Sequence, residues 1–250
     1  MNTRGTRIVK TVGALLLAWV LFAPAGVAQA QTLDEIISAS IEAAGGREAM
    51  GRITSVRQTG TFTMSTGYGD IDGDTEVVII PNQKLYQDLD SDLFQQTGAW
   101  NGTSGWQSDN MQGTVDVEGQ QAESLEHQTM LHPFLPYNTP ALGQADFSQL
   151  DDAEVGGRPH HVVAVSRGSI SYKFFVDAET KMVSRIMFDT DVPQAGRVTI
   201  TAEASGYEEH DGVMLPTRNT VDVPGFVTIE TRFTIVELNG EVDHSIFEKP

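Results

Sequence analysis

The sequence predicts an α+β fold, in which one large antiparallel sheet of about ten strands curls and helices cover its concave face. Two observations carry this prediction. Short segments that alternate apolar and polar residues follow one another with turn sequences between them, which is typical of an antiparallel meander. Only one face of each predicted strand is apolar, so the sheet needs a cover, and helical patterns are available to supply it.

The N-terminus has the organisation of a cleavable signal peptide, residues 1–30. Three basic residues and no acidic one precede an apolar run from Val12 to Phe22, and small residues then lead to Ala28-Gln29-Ala30. This order predicts export to the periplasm and cleavage after Ala30. The apolar run has about half of the roughly 20 residues that span a bilayer. We therefore expect a single domain over residues 31–250, without stable membrane insertion.

Charge and cysteine content narrow the functional classes. The exported part keeps 13 basic and all 34 acidic residues, which gives a net charge of −21. Such a surface repels nucleic acid and anionic membranes. Because the chain has no cysteine, it has no disulfide framework, and its stability must come from an ordinary apolar core.

Three helices are predicted. Thr32 and Glu35 have capping-box spacing, and apolar residues recur at helical intervals from Leu33 to Ala44. A short helical turn follows at 48–53. The segment 120–135 lacks β-branched alternation and has a loosely helical pattern. Together with the helix at the start of the domain, it is available to cover the sheet.

The strands are predicted from alternation and from the turn residues that separate them. Residues 67–73 are interpreted as a turn. In the last strand we expect Val227, Ile229, Phe233 and Ile235 to share the apolar face. The predicted strands cover residues 54–64, 75–80, 84–89, 93–100, 159–165, 171–176, 181–188, 198–205, 215–221 and 226–238.

Motifs for metal binding and catalysis are incomplete in the sequence. The segment Asp70–Asp74 resembles the start of a calcium loop but lacks the glycine and the glutamate that such a loop requires. His160 and His161 are adjacent in a strand, so they point to opposite faces and cannot hold one metal together. Ser104 lies in a sequence that lacks the last glycine of a nucleophile elbow. We predict no enzyme activity, no cofactor and no metal.

The remaining candidate for function is apolar surface. Methionine and aromatic side chains suit adaptable binding of apolar ligands, although each of them could equally be part of the core. A curled sheet with a movable helical cover either fills its concavity with these side chains or leaves a cavity that can hold a hydrophobic ligand non-covalently. Its candidate lining residues are Phe62, Met64, Val78, Ile80, Leu85, Trp100, Trp106, Met130, Leu131, Phe134, Phe174, Met187, Ile229 and Phe233.

Short motifs occur in an order that resembles the LolA-like superfamily, which includes the periplasmic carrier that sorts outer-membrane lipoproteins. The resemblance implies an incomplete antiparallel β-barrel, closed by helices over a hydrophobic cavity that takes up acyl chains. The motifs are residues 43–50 (AAGGREAM), 53–60 (ITSVRQTG), 80–86 (IPNQKLY), 100–106 (WNGTSGW), 176–180 (VDAET), 211–216 (DGVMLP) and 246–250 (IFEKP).

One position departs from the family. The lipoprotein carrier has an arginine before its Pro-Asn that latches the lid, whereas this chain has Ile80. Arginine-controlled opening is therefore not implied. We expect a monomeric periplasmic carrier or binding protein for a lipid, a lipoprotein acyl chain or a similar hydrophobic ligand, with envelope proteins as donor or acceptor. An envelope interaction or sensor module without a transport role, and a hydrolase of unknown type, are the alternatives.

Overall fold

The computed structural model describes residues 31–131, 145–192 and 196–250. The predicted signal peptide and Phe134 lie outside these ranges. The helices are α1 (Leu33–Ala43), α2 (Gly46–Gly51), α3 (Gly119–Leu131) and a C-terminal 3₁₀ helix (His244–Phe247). The strands are β1 (Val56–Thr66), β2 (Gly69–Ile80), β3 (Lys84–Asp90), β4 (Gln95–Trp100), β5 (Gly105–Asp109), β6 (Gly113–Val117), β7 (Asp146–Val155), β8 (Arg158–Arg167), β9 (Ile170–Asp177), β10 (Val183–Val192), β11 (Gly196–His210), β12 (Val213–Val223) and β13 (Val227–Leu238).

The thirteen strands form one antiparallel sheet in the order β6-β5-β4-β3-β2-β1-β13-β12-β11-β10-β9-β8-β7. Almost every strand pairs with its neighbour in sequence, and the pairing of β1 with β13 joins the two halves. Among the described strands, β6 and β7 form the two edges and do not pair with each other, so the barrel is incomplete. The predicted α+β fold with one large antiparallel sheet is confirmed.

The sheet curls around α3. This helix contacts β3, β4 and β5 and also contacts β9, far away in the strand order. At about 4.8 Å per strand, β5 and β9 would be roughly 43 Å apart in a flat sheet. A helix of the length of α3 is only about 20 Å long and about 10–12 Å wide. It can contact both β5 and β9 only because the sheet curls around it. We call the face that α1, α2 and α3 cover the inner face and the opposite one the outer face.

The structure has more strands than the sequence pattern predicts. The pattern misses β5, β6 and β7 and assigns the first half of β2 to a turn. β6 and β7 are edge strands with mostly exposed side chains, so their apolar alternation is weak. In β2, Asp70, Asp72 and Asp74 all project from the outer face, where solvent and polar neighbours accommodate them. One such neighbour is Thr63, whose Oγ1 donates to Asp72 Oδ1 at 2.6 Å.

A bulge in β13 changes which residues face the helices. Thr59 pairs with Ile235 and Gly60 with Phe233, so Thr234 is an extra residue. Ile235 therefore lies on the outer face and is 56% exposed, and the prediction that it shares the apolar face is wrong. Alternation with a period of two does not continue through a bulge. Gly60 permits the close pairing, because a Cβ there would lie 1.9 Å from the Arg232 carbonyl oxygen.

The core lies on the inner face. Ile36 and Ile41 of α1 and Met50 of α2 pack with apolar residues of β8, β9, β10 and β12. On the other half of the sheet, Leu125 of α3 packs with Ile79, Leu85 and Val117. The predicted capping box is present at the start of α1, where Thr32 and Glu35 exchange hydrogen bonds of 2.8 and 3.3 Å. No helix in the described ranges is long and apolar enough to cross a membrane.

Candidate functional site

An unbroken row of apolar side chains crosses the inner face. Cross-strand pairing connects its members, one from each of eight strands that are neighbours in the sheet, β2-β1-β13-β12-β11-β10-β9-β8. In that order they are Ile71, Met64, Ile229, Val221, Ala202, Ile186, Phe174 and Val163. At about 4.8 Å per strand the row is roughly 34 Å long. We call these eight residues the apolar row.

The apolar row is covered at one end and partly accessible at the other. Phe174 and Val163 are fully buried and belong to the cluster that packs against α1. Ile71, Ile229 and Val221 are only half-buried. Partly accessible apolar side chains on a concave face are the kind of surface that a hydrophobic ligand covers.

Polar contacts tie α3 to the half of the sheet that contains β8 and β9. Glu126 forms an ion pair with Arg167 at 3.2 Å, and Glu123 Oε2 accepts a hydrogen bond from the Ser169 N–H at 3.1 Å. His127 Nδ1 lies 3.0 Å from the Tyr172 hydroxyl. Since Leu125 packs on the opposite half of the sheet, α3 connects the two halves across the inner face.

The His127–Tyr172 contact is between neutral groups. Burial, and then the charge of Arg167, lower the pKa of His127, so its ring is uncharged at neutral pH. Burial likewise raises the pKa of the Tyr172 phenol, which keeps its proton. The phenol can therefore donate to the unprotonated ring nitrogen, and no charge is placed beside the apolar side chains of β9 and β10.

Solved structures share this architecture. An outer membrane lipoprotein-sorting protein domain from Vibrio parahaemolyticus aligns with a TM-score of 0.54 at 9% identity, covering 85% of this chain and 94% of that one. A LolA superfamily protein from Nitrosomonas europaea aligns at 0.56 and 12% identity, covering 84% and 96%. A DUF1329 family protein from Desulfovibrio piger aligns at 0.56 and 10% identity, covering 85% and 97%.

The chain has the LolA-like fold. No protein-family model matches the sequence, and no curated protein matches it. At these identities the likeness concerns the fold, and the function has to be argued from the residues of this chain.

The structure places eleven of the fourteen predicted site residues on the LolA-like sheet, seven on the inner face and four on the outer face. The backbones of Met130 and Leu131 end α3, while their side chains, like Phe134, lie outside the described part. The pairing register places seven on the inner face: Phe62, Met64, Leu85, Trp100, Phe174, Ile229 and Phe233. Whether these residues contact a ligand stays a prediction.

The other four, Val78, Ile80, Trp106 and Met187, lie on the outer face. Val78 and Ile80 pack with Phe247 under the 3₁₀ helix, and the Trp106 indole N–H donates to the Phe247 carbonyl at 2.9 Å.

Met187 pairs with Lys173 and Thr201. All four are predicted cavity residues because they are apolar. For Val78, Ile80 and Trp106, the 3₁₀ helix creates a second apolar contact on the outer face. Met187 lies on the outer face because its neighbours in β10, Ile186 and Phe188, face inward, so apolar character alone does not tell the two faces apart.

Five members of the apolar row were missing from the sequence-based set: Ile71, Val163, Ile186, Ala202 and Val221. Ile71 lies in the segment interpreted as a turn. The others lie in predicted strands, but side chains of this size have no distinctive chemistry. Only the strand order, which fixes the cross-strand neighbours, brings them into one row.

Open clefts that are separate from the apolar row lie on the outer face of the described part of the sheet. One of them, of about 440 Å³, lies over β1, β2 and β3 and is lined by Asp74, Glu76, Asp88, Asp90 and several threonines. Burial raises the pKa of Asp88, whose carboxylate accepts a hydrogen bond from Thr97 Oγ1 at 2.6 Å. In the described part of the chain, no three His, Asp or Glu side chains are arranged to hold a metal ion.

His160 and Ser184 form a close pair on the outer side of the sheet. His160 Nε2 lies 2.7 Å from Ser184 Oγ, and its Nδ1 lies 2.8 Å from the Arg158 carbonyl oxygen. Asp177 lies 3.7 Å from Nε2, the nitrogen that already faces Ser184. In a catalytic triad the carboxylate binds the other ring nitrogen, so this arrangement differs from that of a serine hydrolase.

Proposed function

We propose that this protein is a periplasmic carrier or binding protein that holds a lipid, a lipoprotein acyl chain or a similar hydrophobic ligand between its sheet and its helices. The observation that supports this proposal is the apolar row, which is continuous over eight strands and half-buried over β2, β13 and β12. The ligand is held without covalent chemistry.

Apolar burial provides enough free energy for reversible binding. Each buried CH₂ group contributes roughly 0.8 kcal/mol, so the roughly 15 groups of a long acyl chain contribute about 12 kcal/mol. Association costs about 4 kcal/mol or more, and the remaining 8 kcal/mol or so corresponds to a micromolar dissociation constant. A carrier needs such a value, because it must both take up and release its ligand.

The position of α3 suits a cover that can move. Its ion pair with the sheet, Glu126 to Arg167, joins partly exposed side chains, and such pairs contribute about 0–1 kcal/mol. Its neutral hydrogen bond to Tyr172 contributes about 1 kcal/mol. A bound acyl chain of moderate length offsets the loss of these two contacts together with that of the Glu123–Ser169 hydrogen bond.

Fatty-acid binding tests the proposal. The purified protein is titrated with a fluorescent fatty acid, and co-purified lipid is extracted and identified by mass spectrometry. β13 offers a matched pair of variants, because Ile229 lies on the inner face and Ile235 on the outer face of the same strand. We expect Ile229→Gln to weaken binding about tenfold, since it puts a polar amide into the apolar row.

Ile235→Gln should bind the fatty acid like the unsubstituted protein. Circular dichroism and urea unfolding establish that both variants are folded. The proposal fails if the protein binds no fatty acid and carries no lipid, or if the two variants weaken binding equally.

A further inference from the structure

One edge of the sheet carries exposed apolar side chains on successive hairpin turns. Because neighbouring strands are antiparallel, the turns β1–β2, β3–β4, β5–β6 and β12–β13 all lie at the same edge. Each turn presents one large, exposed apolar residue: Tyr68, Leu93, Met111 and Phe226, in that order. We call these four turns, which lie at one end of the strands and not along the edge strands β6 and β7, the tip edge.

The opposite edge is different. Its described turns consist of residues 81–83 (PNQ), 101–104 (NGTS), 156–157 (GG), 178–182 (AETKM) and 211–212 (DG). None of these residues is a large, exposed apolar one. In the described ranges, the other exposed large apolar residues, Val115, Leu150 and Ile235, lie within strands. The apolar turns are therefore a property of one edge.

The spacing of the four side chains fits a lipid surface. Adjacent turns are two strands apart, which is about 10 Å, so each side chain stands alone rather than in one continuous patch. A protein partner is recognised through a packed, continuous contact. A bilayer interface instead accepts single aromatic and aliphatic side chains between its headgroups.

Charge selects the kind of bilayer. The exported part has a net charge of −21, and the four turns contain no Lys or Arg and a single acidic residue, Asp92. An anionic membrane would repel such a protein. We propose that the tip edge docks reversibly on the surface of a zwitterionic bilayer, with the four side chains entering its interfacial region.

The tip edge also lies next to the apolar row. Met64 and Ile229 are paired, and so are Thr66 and Val227, the last pair before the turns that carry Tyr68 and Phe226. Two residues of a strand span about 7 Å. A docked protein would thus present the accessible end of the row to the lipid surface. The docking itself does not depend on the function proposed above.

Vesicle flotation tests the inference. The purified protein is mixed with phosphatidylcholine vesicles, alone or containing phosphatidylglycerol. A variant with Tyr68→Ser, Leu93→Ser, Met111→Ser and Phe226→Ser is compared with a control that carries Leu150→Ser and Ile235→Ser, which remove exposed apolar residues elsewhere. We expect the unsubstituted protein and the control to float with phosphatidylcholine, and the four-residue variant to bind at least about tenfold more weakly.

Three outcomes would overturn the inference: no flotation of the unsubstituted protein with phosphatidylcholine, equal flotation of the four-residue variant, or flotation that requires the anionic lipid. Sedimentation velocity distinguishes a further case, in which the substitutions abolish self-association and the edge is a contact between copies of this chain. The four-residue variant should keep its fatty-acid binding, and Ile229→Gln should keep its flotation. Failure of docking and failure of ligand binding are therefore separate results.

Discussion

Phe247 gives the sharpest test of the division between the two faces of the sheet. Its ring is fully buried against Val78 and Ile80, and its carbonyl accepts the Trp106 indole N–H at 2.9 Å. Phe247→Ala should cost about 3–5 kcal/mol of unfolding free energy, the usual range for removing a buried ring. Fatty-acid affinity of the folded variant should be unchanged, because the ring is on the face away from the apolar row.

Urea unfolding and the fluorescent fatty-acid titration measure these two quantities on the same samples. Trp106→Phe is the graded companion, since it removes the indole donor and part of the buried ring system and should cost about 1–3 kcal/mol. If Phe247→Ala weakened the affinity of folded protein while leaving its stability intact, the outer cluster would belong to the binding site and our assignment of faces would be refuted.

Two further predictions concern α3 and the bulge. The pKa of His127 is lower in the folded chain than its ordinary value of 6.5, so protonation of this side chain favours the unfolded state. Above pH 6.5 the free energy of unfolding is unaffected, and it should fall as the pH drops below 6.5. Thermal unfolding between neutral and mildly acidic pH measures this fall, which His127→Gln should reduce; an equal fall in both proteins would contradict it. Gly60→Ala should destabilise the protein by about 3 kcal/mol, because its Cβ would clash with backbone. Gly67→Ala, where nothing lies within 4 Å, is the matched control, and equal urea midpoints for the two variants would disprove the role of Gly60.

The fold class was predictable because its signals are local. The capping box at Thr32 and Glu35 and the alternation in β1 depend only on nearby residues, and the hairpin turns fix the order of the strands. Edge strands such as β7 were not predicted, because solvent on both faces removes the apolar alternation. The bulge at Thr234 was not predicted, because it depends on Gly60, a residue far away in sequence.

The candidate site was only partly predictable, for a different reason. Side-chain chemistry identified Phe62, Met64, Phe174 and Ile229 as apolar residues of the inner face. It could not separate them from Val78 or Trp106, because what decides the face of β2 and β5 is the docking of the 3₁₀ helix more than a hundred residues later. The small members of the apolar row became recognisable only through the pairing register.

The pairing of β1 with β13 has a consequence for how the chain folds. Each half of the sheet is a meander of local hairpins, which can form quickly, whereas the seam between them joins Val56 to Leu238. Contacts of such long range slow folding, so the seam should form late. Until then β1 and β13 are exposed edge strands that can pair with other chains. Delayed completion makes newly synthesised molecules dependent on low concentration or on chaperones to avoid aggregation.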